Sequence, residues 1–405
     1  MLGFRISVLL CLSVCALATA ADWPQWRGPN RDGVSPETGL LESWPRDGPR
    51  QLWKMLGLGE GYAAPAVAGG RLYIQGQQGS QQFVLALDAS TGRALWKTPT
   101  GGAFREQRGN GPRGSPTVDG NRLYALAADG TLVCLETSSG KRIWGMNFVQ
   151  RFGGSIPRWG YSESPLVEGD RVIVTAGGPD AAVVALNKAT GDLIWKSQGD
   201  RAGYSSAVPF VAGGIRGLAI LTAQAAIGLD AQNGNLLWRY DKIANRVANI
   251  ATPIVHNGHV FLSTDYDTGC ALLRLTASGG SVKASEVYFN REMRNHYTTS
   301  VLVGDHLYGF SSAILTAMNL MTGQVAWRDR SVGKGNCIYA DRRLYCLGER
   351  GVVGLVDPTP AGYKEVSRFE IPGGDFPTWT PPVIADGKLY LREQDTLYCY
   401  NIRKP

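Results

Sequence analysis

Short runs of apolar residues alternate with polar turns along most of the chain, and one pattern returns at a fixed spacing. An apolar run such as FVLAL leads to an acidic or amide residue. A glycine follows four positions later, and a tryptophan four positions after that, within an alternating run such as RALWK. Two such runs separated by a turn are typical of paired β-strands. Five copies keep the spacing: Asp88, Gly92 and Trp96; Glu136, Gly140 and Trp144; Asn187, Gly191 and Trp195; Asp230, Gly234 and Trp238; Asn319, Gly323 and Trp327.

The three fixed positions each have a physical role in such a hairpin. A short acidic or amide side chain accepts hydrogen bonds from the amides of the turn. Glycine supplies the positive φ that a tight hairpin with a bulge requires. The tryptophan lies on one face of the second strand, where it can wedge against a neighbouring sheet. We therefore expect the repeated residues to be structural.

A second hairpin precedes each copy and also occurs where the motif is weak. Seven clear examples read PAVAGGRLYI, PTVDGNRLYAL, PLVEGDRVIV, PIVHNGHVFL, VLVGDHLYGF, CIYADRRLYCL and PVIADGKLYL, and a divergent one covers residues 209–221. Their spacing of about forty to fifty residues is the period of four-stranded propeller blades. The sequence therefore predicts an all-β fold, an eight-bladed β-propeller of four-stranded antiparallel blades.

The last repeat provides three strands before the chain ends, so one strand is missing from the eighth blade. The segment RQLWKMLG at residues 50–57 reads like an outer strand without a blade of its own. We expect it to complete the eighth blade, which leaves no free sheet edge between the chain ends. Blades five and seven lack the repeated tryptophan, and we expect Phe289 and Phe369 to replace it.

Three segments follow from this division of the 405 residues. Residues 1–20 carry Arg5, an apolar run and small residues near Ala20, as a secretory signal peptide does. Val14 before Cys15 argues against a lipid anchor. Residues 21–49 form an arm rich in tryptophan, proline and glycine, and residues 50–405 form the propeller. We expect an exported protein, periplasmic or extracellular, that does not span a membrane and is a monomer.

The arm contains Trp23, Trp26 and Trp44, too much aromatic surface to leave in water. We expect it to dock across its own propeller. A groove on a partner protein is the alternative.

Five cysteines follow the signal segment: Cys134, Cys270, Cys337, Cys346 and Cys399. The register around the turn at Asp341 places Cys337 opposite Cys346, within the range of a disulfide. A disulfide there is one interpretation. The other is that two small apolar residues fill adjacent strands.

Every connection from one blade to the next lies on the same face of a four-stranded propeller. Arginines gather in five of these connections: Arg105, Arg108 and Arg113; Arg151 and Arg158; Arg201; Arg246; Arg291 and Arg294. Aromatic residues stand just before the inner strands: Tyr62, Tyr161, Tyr204, Tyr297 and Trp379. We expect these side chains to ring the channel mouth and bind an anionic or sugar-like ligand or an acidic peptide. The alternative is ordinary loop arginines and tyrosines packed between blades.

Repeats of the form AxDxxTGxxxW resemble the PQQ-like repeat of eight-bladed quinoprotein dehydrogenases and of BamB-like scaffold lipoproteins that serve outer-membrane assembly. The segment DWPQWRGPNRDGVSPETGL also resembles the leader of exported PQQ-like repeat proteins. The dehydrogenase resemblance implies an adjacent cysteine pair, a calcium-binding acid cluster, a catalytic Asp and often a CxxCH haem site. This chain has neither cysteine motif. Asp265 and Asp267 are a possible calcium pair, but a solvated turn is the simpler interpretation.

These observations favour a non-catalytic binding or scaffold propeller that takes an anionic or carbohydrate ligand or an envelope protein as partner. We predict no metal site, because the histidines are scattered, and no resident cofactor. The alternative is a PQQ-dependent oxidoreductase that holds PQQ with calcium. The net charge of +7 would suit nucleic acid, but export separates the protein from it.

Overall fold

Eight antiparallel sheets make up the fold, as a computed structural model of residues 21–405 shows. The predicted signal peptide, residues 1–20, lies outside the described residues. The eight-bladed β-propeller is thus confirmed. No helix within residues 21–405 has the length and apolar character needed to cross a bilayer.

The first four blades follow one another along the chain, each from an inner to an outer strand. Blade 1 contains Ala66–Ala68, Arg71–Gln78, Gln81–Asp88 and Ala94–Gly102, and blade 2 contains Thr117–Asp119, Arg122–Leu126, Thr131–Glu136 and Arg142–Asn147. A short helix, Phe148–Phe152, lies in the connection to blade 3. Blade 3 contains Leu166–Glu168, Arg171–Val174, Val183–Asn187 and Leu193–Ser197, and blade 4 contains Val208–Ala212, Ile215–Leu221, Ala226–Asp230 and Leu236–Tyr240.

The other four blades repeat this order, and the last is completed by the strand that directly follows the arm in the sequence. Blade 5 contains Ile254–His256, His259–Thr264, Gly269–Ser278 and Ser281–Asn290, and blade 6 contains Val301–Val303, His306–Ser311, Ile314–Asn319 and Val325–Asp329. Blade 7 contains Gly335–Ala340, Arg343–Gly348, Val352–Val356 and Glu365–Glu370. Blade 8 contains Val383–Ala385, Lys388–Glu393, Thr396–Asn401 and, as its outer strand, Gln51–Leu56.

The outer strand of blade 8 pairs antiparallel with Thr396–Asn401 in the predicted position. The expected closure by residues 50–57 is therefore confirmed. Since the first and last strands of the propeller share one sheet, blade 8 ties the two ends of the ring together.

Hydrophobic clusters lie between neighbouring blades, so each blade needs the next to bury its face. In one cluster, Tyr124 and Leu132 of blade 2 pack with Val172 and Leu186 of blade 3. The largest cluster joins blades 7, 8 and 1 with the arm. Stability therefore resides in the contacts between blades.

The repeated motif forms an interlock between consecutive blades. The indole N–H of Trp96 donates to the carbonyl oxygen of Thr137, one residue after Glu136 of the next blade, at 3.1 Å. Gly140 of the same turn has φ of 73°, and a Cβ there would lie 2.5 Å from the Trp96 ring. Glycine is thus required by the backbone and by the packed indole.

Tyr288 takes the place of the missing tryptophan in blade 5, and Trp44 of the arm takes it in blade 7. The Tyr288 hydroxyl donates to the carbonyl of Leu320 at 2.8 Å, in the same role as the indole N–H. The prediction of Phe289 is wrong, because that ring is 37% exposed. The prediction of Phe369 is also wrong, because the register places Ser367, opposite Leu355, at the tryptophan position of blade 7. Trp44 packs on Tyr345 with ring centroids 5.6 Å apart, as Trp96 packs on Tyr73 at 5.8 Å.

The arm docks on its own propeller, as its aromatic content predicts. Trp23 forms an antiparallel bridge with Val67 of blade 1, and Val34–Ser35 adds a parallel strand to blade 7. Trp44 packs edge-on to Phe369 at 5.2 Å. The arm therefore connects blades on several sides of the channel.

Cys337 and Cys346 lie opposite each other in the predicted register. Both are buried free thiols, as are the other three cysteines of residues 21–405, so of the two interpretations the structure matches packing and not a disulfide. The Cys337 thiol instead donates to the carbonyl of Tyr308 in blade 6 at 3.4 Å. The pair fills the space between two blades.

Replacing Trp195 with alanine should lower the free energy of unfolding by about 3–5 kcal/mol, because its 8% exposed indole leaves a cavity between blades. Trp195→Phe keeps most of the wedge and loses only the bond to Ala231, so it should lose about 1 kcal/mol. Urea unfolding checks both values. Equal losses in the two variants would contradict the wedge role.

Deleting residues 21–49 should lower Tm by about 5 °C or more, because Trp23 and Trp44 lose their buried sites. Arg46→Ala, an exposed position in the same arm, is the control and should leave Tm unchanged. Calorimetry measures both. An unchanged Tm after the deletion would show that the arm does not stabilise the propeller.

Candidate functional site

The connections between blades surround a cavity of about 610 Å³ at one end of the channel. We call it the channel-mouth cavity. Residues from all eight connections line it, together with Tyr266 and Glu349, which come from turns inside blades 5 and 7. Its volume lies within the range of sites that enclose most of a small ligand.

Half of the residues expected at the channel mouth line this cavity. They are Tyr62, Arg108, Arg113, Arg158, Tyr204, Tyr297 and Trp379. The other seven lie elsewhere: Arg105, Arg151, Tyr161, Arg201, Arg246, Arg291 and Arg294. Ligand binding by the first group stays a prediction.

The seven predicted residues that do not line the cavity are bonded to local partners or are exposed to solvent. Tyr161 is buried at 1% exposure, and its hydroxyl donates to the carbonyl of Ala176. Arg294 pairs with Asp267 at 3.2 Å. Arg201 is exposed, with its side chain away from the cavity. Loop position alone therefore did not determine side-chain direction.

Aromatic rings form two walls of the cavity. Trp379 lies between Tyr62 and Tyr297, with ring centroids 5.0 and 5.5 Å apart and interplanar angles near 33° and 32°. Trp159 and Tyr204, 5.7 Å apart, form the second wall. The Trp379 indole N–H donates to Glu349 at 2.7 Å, which fixes that ring. Such walls present flat apolar faces to a ligand.

The cationic side chains of the cavity differ in whether they already have a partner within the protein. Arg113 donates to the carbonyls of Gly111 and Gly109, both at 2.8 Å, so it supports the loop. Lys334 lies 3.7 Å from Glu349. The exposed guanidinium groups of Arg108 and Arg158 form no ion pair with any residue in the described part of the chain. These two are available to an anion.

A tyrosine and a histidine meet at the cavity although no sequence motif links them. The Tyr266 hydroxyl lies 2.9 Å from Nε2 of His296, and both residues line the cavity. Tyr266 has φ of 52°, a left-handed conformation that bulky residues rarely adopt and that occurs at functional sites. Burial and the charge of Lys334 lower the pKa of His296 to about 4, although Asp265 opposes this.

Asp265 and Asp267, the possible calcium pair on either side of Tyr266, each bind a different partner within the protein. Asp265 accepts from the Ser312 hydroxyl at 3.0 Å, and Asp267 pairs with Arg294. No group of three or more His, Cys, Asp or Glu side chains within residues 21–405 could hold a metal ion. Of the two carboxylates in the cavity, Glu349 is engaged by Trp379 and Lys334. These donors do not fit a calcium-bound quinone.

The arm supplies the floor of the cavity. Trp26 lines it, and its indole N–H donates to the Thr252 hydroxyl at the inner end of blade 5, at 2.9 Å. Sequence reasoning predicted that the arm docks but missed this position, because nothing in the composition of the arm fixes its path.

Replacing His296 with glutamine should remove a loss of stability in acid. Between pH 6.5 and about 4 the histidine takes up a proton in the unfolded chain but not in the folded protein. The free energy of unfolding therefore decreases as the pH is lowered through this range. Tyr266, Tyr297, Lys334 and Asp265 are ionisable groups around the ring. Urea unfolding across this window should show a smaller decline in His296→Gln than in the parent.

His306→Gln is the control, because His306 lies in blade 6 outside the cavity. It should keep the decline that the parent shows. Identical pH profiles in the parent and His296→Gln would show that the buried ring does not resist protonation.

The family model described as outer membrane protein assembly factor BamB matches residues 41–144 and 83–329. The chain is 31% identical over 118 residues to outer membrane protein assembly factor BamB of Burkholderia pseudomallei, over 28% of this chain and 27% of that protein. It is 23% identical over 233 residues to BamB of Shewanella oneidensis, over 57% and 55%. The matches therefore span about half the length of these relatives or less.

Solved structures share the architecture. The crystal structure of BamB from Moraxella catarrhalis aligns with a TM-score of 0.62 and 14% identity, over 87% of this chain and 99% of that one. Quinohemoprotein alcohol dehydrogenase from Comamonas testosteroni aligns with a TM-score of 0.67 and 12% identity, over 96% and 82%. These likenesses show the fold alone. Because the family model matches more than half of the 405 residues, the chain belongs to the BamB family of PQQ-like repeat propellers.

Proposed function

We propose that this protein is an exported, non-catalytic binding propeller of the cell envelope that holds an anionic ligand in the channel-mouth cavity. One observation carries the proposal: at a cavity with aromatic walls, the guanidinium groups of Arg108 and Arg158 have no ion pair among residues 21–405. A guanidinium group matches a carboxylate, sulfate or phosphate with two parallel hydrogen bonds.

The charge balance of the cavity supports an anion. Glu349 is neutralised by Lys334 and receives the Trp379 indole N–H. The other cavity carboxylate, Glu106, accepts the backbone N–H of Arg108 at 2.5 Å. The cavity lining thus carries two carboxylates against four cations, Arg108, Arg113, Arg158 and Lys334. A ligand that brings acidic groups therefore meets complementary charge.

The aromatic walls favour a ligand with flat faces. Trp379 with Tyr62 and Tyr297 offers one continuous surface, and the guanidinium of Arg158 lies 5.0 Å from the Trp159 ring on the other side. Sugar rings and planar aromatic compounds both have faces that pack on such surfaces.

Family membership favours a second candidate, a scaffold that binds another envelope protein. The curated relatives are named outer membrane protein assembly factors, a role in which protein contact is expected. The basic cavity face would then receive an acidic segment of the partner. A PQQ-dependent oxidoreductase is the remaining alternative, and the poor fit of the carboxylates to calcium argues against it.

The double variant Arg108→Ala with Arg158→Ala should bind the planar trisulfonate dye pyranine about ten-fold more weakly than the parent, because two charge-assisted contacts are lost. The control is Arg201→Ala with Arg246→Ala, which removes two exposed arginines outside the cavity. Fluorescence anisotropy of the dye measures all three proteins. Equal affinity in both double variants would contradict the proposed site.

Titration with PQQ, with and without calcium, tests the alternative. The binding proposal predicts no calcium-dependent stoichiometric complex. Tight binding that requires calcium would support the oxidoreductase instead.

A further inference from the structure

The arm passes through the channel and touches blades on opposite sides of it. The N–H of Val118 in blade 2 donates to the carbonyl of Pro24 at 2.8 Å. Arg31 reaches the carbonyl of Ser164 before blade 3 at 2.8 Å, and Arg27 reaches that of Ser300 before blade 6 at 2.7 Å. The same segment then leaves along blade 7 as Val34–Ser35.

This segment is fixed in place. Arg27 and Arg31 are only 5% and 3% exposed, and their guanidinium groups donate to backbone carbonyls of the propeller. Releasing the arm would leave buried carbonyls without these partners, which is unfavourable. We therefore treat the arm as a permanent plug of the channel.

The plug makes the cavity blind. Trp26 forms its floor and is bonded to Thr252, so a ligand that enters from the mouth cannot pass through the ring. A polymer can therefore be bound only by a terminal segment, and the remainder must stay outside. The cavity volume of about 610 Å³ is enough for a short segment.

Hydrogen-bonding capacity narrows the ligand class further. Nδ1 of His296 is buried and has no hydrogen-bond partner in the described part of the chain. An orphaned buried N–H is rarer than an orphaned acceptor, so we assign the proton to Nε2, which then donates to the Tyr266 oxygen. The Tyr266 O–H is left free to donate into the cavity. Burial raises the pKa of Tyr266, so the proton is retained.

Arg108, Arg158 and Tyr266 are three donors that line the cavity. A peptide would also bring backbone N–H donors, and the two cavity carboxylates, Glu106 and Glu349, already accept from the Arg108 N–H and the Trp379 indole. A carboxylated sugar supplies acceptors and a ring face together.

We propose that the channel-mouth cavity is a blind pocket for the terminal uronate unit of an acidic oligosaccharide. Arg108 and Arg158 pair with the carboxylate, Tyr266 donates to a sugar oxygen, and the wall around Trp379 packs against the ring. This inference rests on the proposed function and specifies its ligand.

The experiment titrates the mature protein with trigalacturonic acid, with its neutral methyl ester and with long polygalacturonate at the same total sugar concentration. Calorimetry measures the affinity. The trimer should bind, and the ester should bind about ten-fold more weakly because its charge is lost. The long polymer should give binding in proportion to its few chain ends.

Three outcomes overturn the inference. Equal affinity for the acid and its ester would show that the carboxylate is not recognised, which contradicts a uronate ligand. Equal binding per sugar unit by the long polymer would show that the protein does not recognise chain ends. If no uronate compound binds while pyranine still binds through Arg108 and Arg158, the inference fails and the proposed function stands. If pyranine binding does not depend on those arginines, the proposed function fails.

A variant pair tests the role of Tyr266. Tyr266→Phe should weaken trigalacturonic acid binding about five-fold, because one hydrogen bond to the ligand is lost. Tyr240→Phe is the control, since that hydroxyl bonds Glu286 on the outside of blades 4 and 5. Unchanged affinity in Tyr266→Phe would remove Tyr266 from the site.

Discussion

The contact between an aromatic ring of one blade and the glycine turn of the next holds the propeller together. The indole N–H of Trp144, for example, donates to the carbonyl of Lys188 at 3.2 Å, while its ring occupies the space that a Cβ on Gly191 would fill. The contact combines a buried apolar surface, a satisfied donor and a backbone conformation open mainly to glycine. Each blade is therefore positioned by its neighbour, and the connections that carry the site are positioned by the blades.

The arm is the second constraint, because it closes the central channel and leaves a cavity that opens at one end only. Trp23 and Trp44 extend the core of blades 7, 8 and 1, and the buried arginines of the arm bond backbone carbonyls around the channel. Trp26, between them in the sequence, lines the cavity. Stability and the shape of the site thus depend on the same segment.

Much of the fold could be predicted from the sequence because the interlock requires the same residues in most blades. The blade count and the closure by residues 50–57 followed from the repeat. Tyr288 was missed because its hydroxyl can replace an indole N–H. The bulge between Leu272 and Leu273 places it where the tryptophan stands in blade 1, but blade 5 lacks the acid–glycine turn that marks this position in the sequence.

The site was less predictable because it depends on side-chain direction and on contacts between distant segments. Sequence position placed Arg113 and Arg294 in the right loops, but local partners hold both. Tyr266 and His296 are thirty residues apart and meet only because a turn of blade 5 reaches the connection to blade 6. No spacing rule relates such a pair.

Hydrogen–deuterium exchange with and without trigalacturonic acid tests the central claim most directly, that one face of the propeller holds a ligand in a cavity closed at one end by the arm. The account predicts added protection in the connections around residues 104–114, 157–164, 294–298 and 376–381, with the outer strands unchanged. Protection confined to the outer strands, or none in these connections, would contradict it.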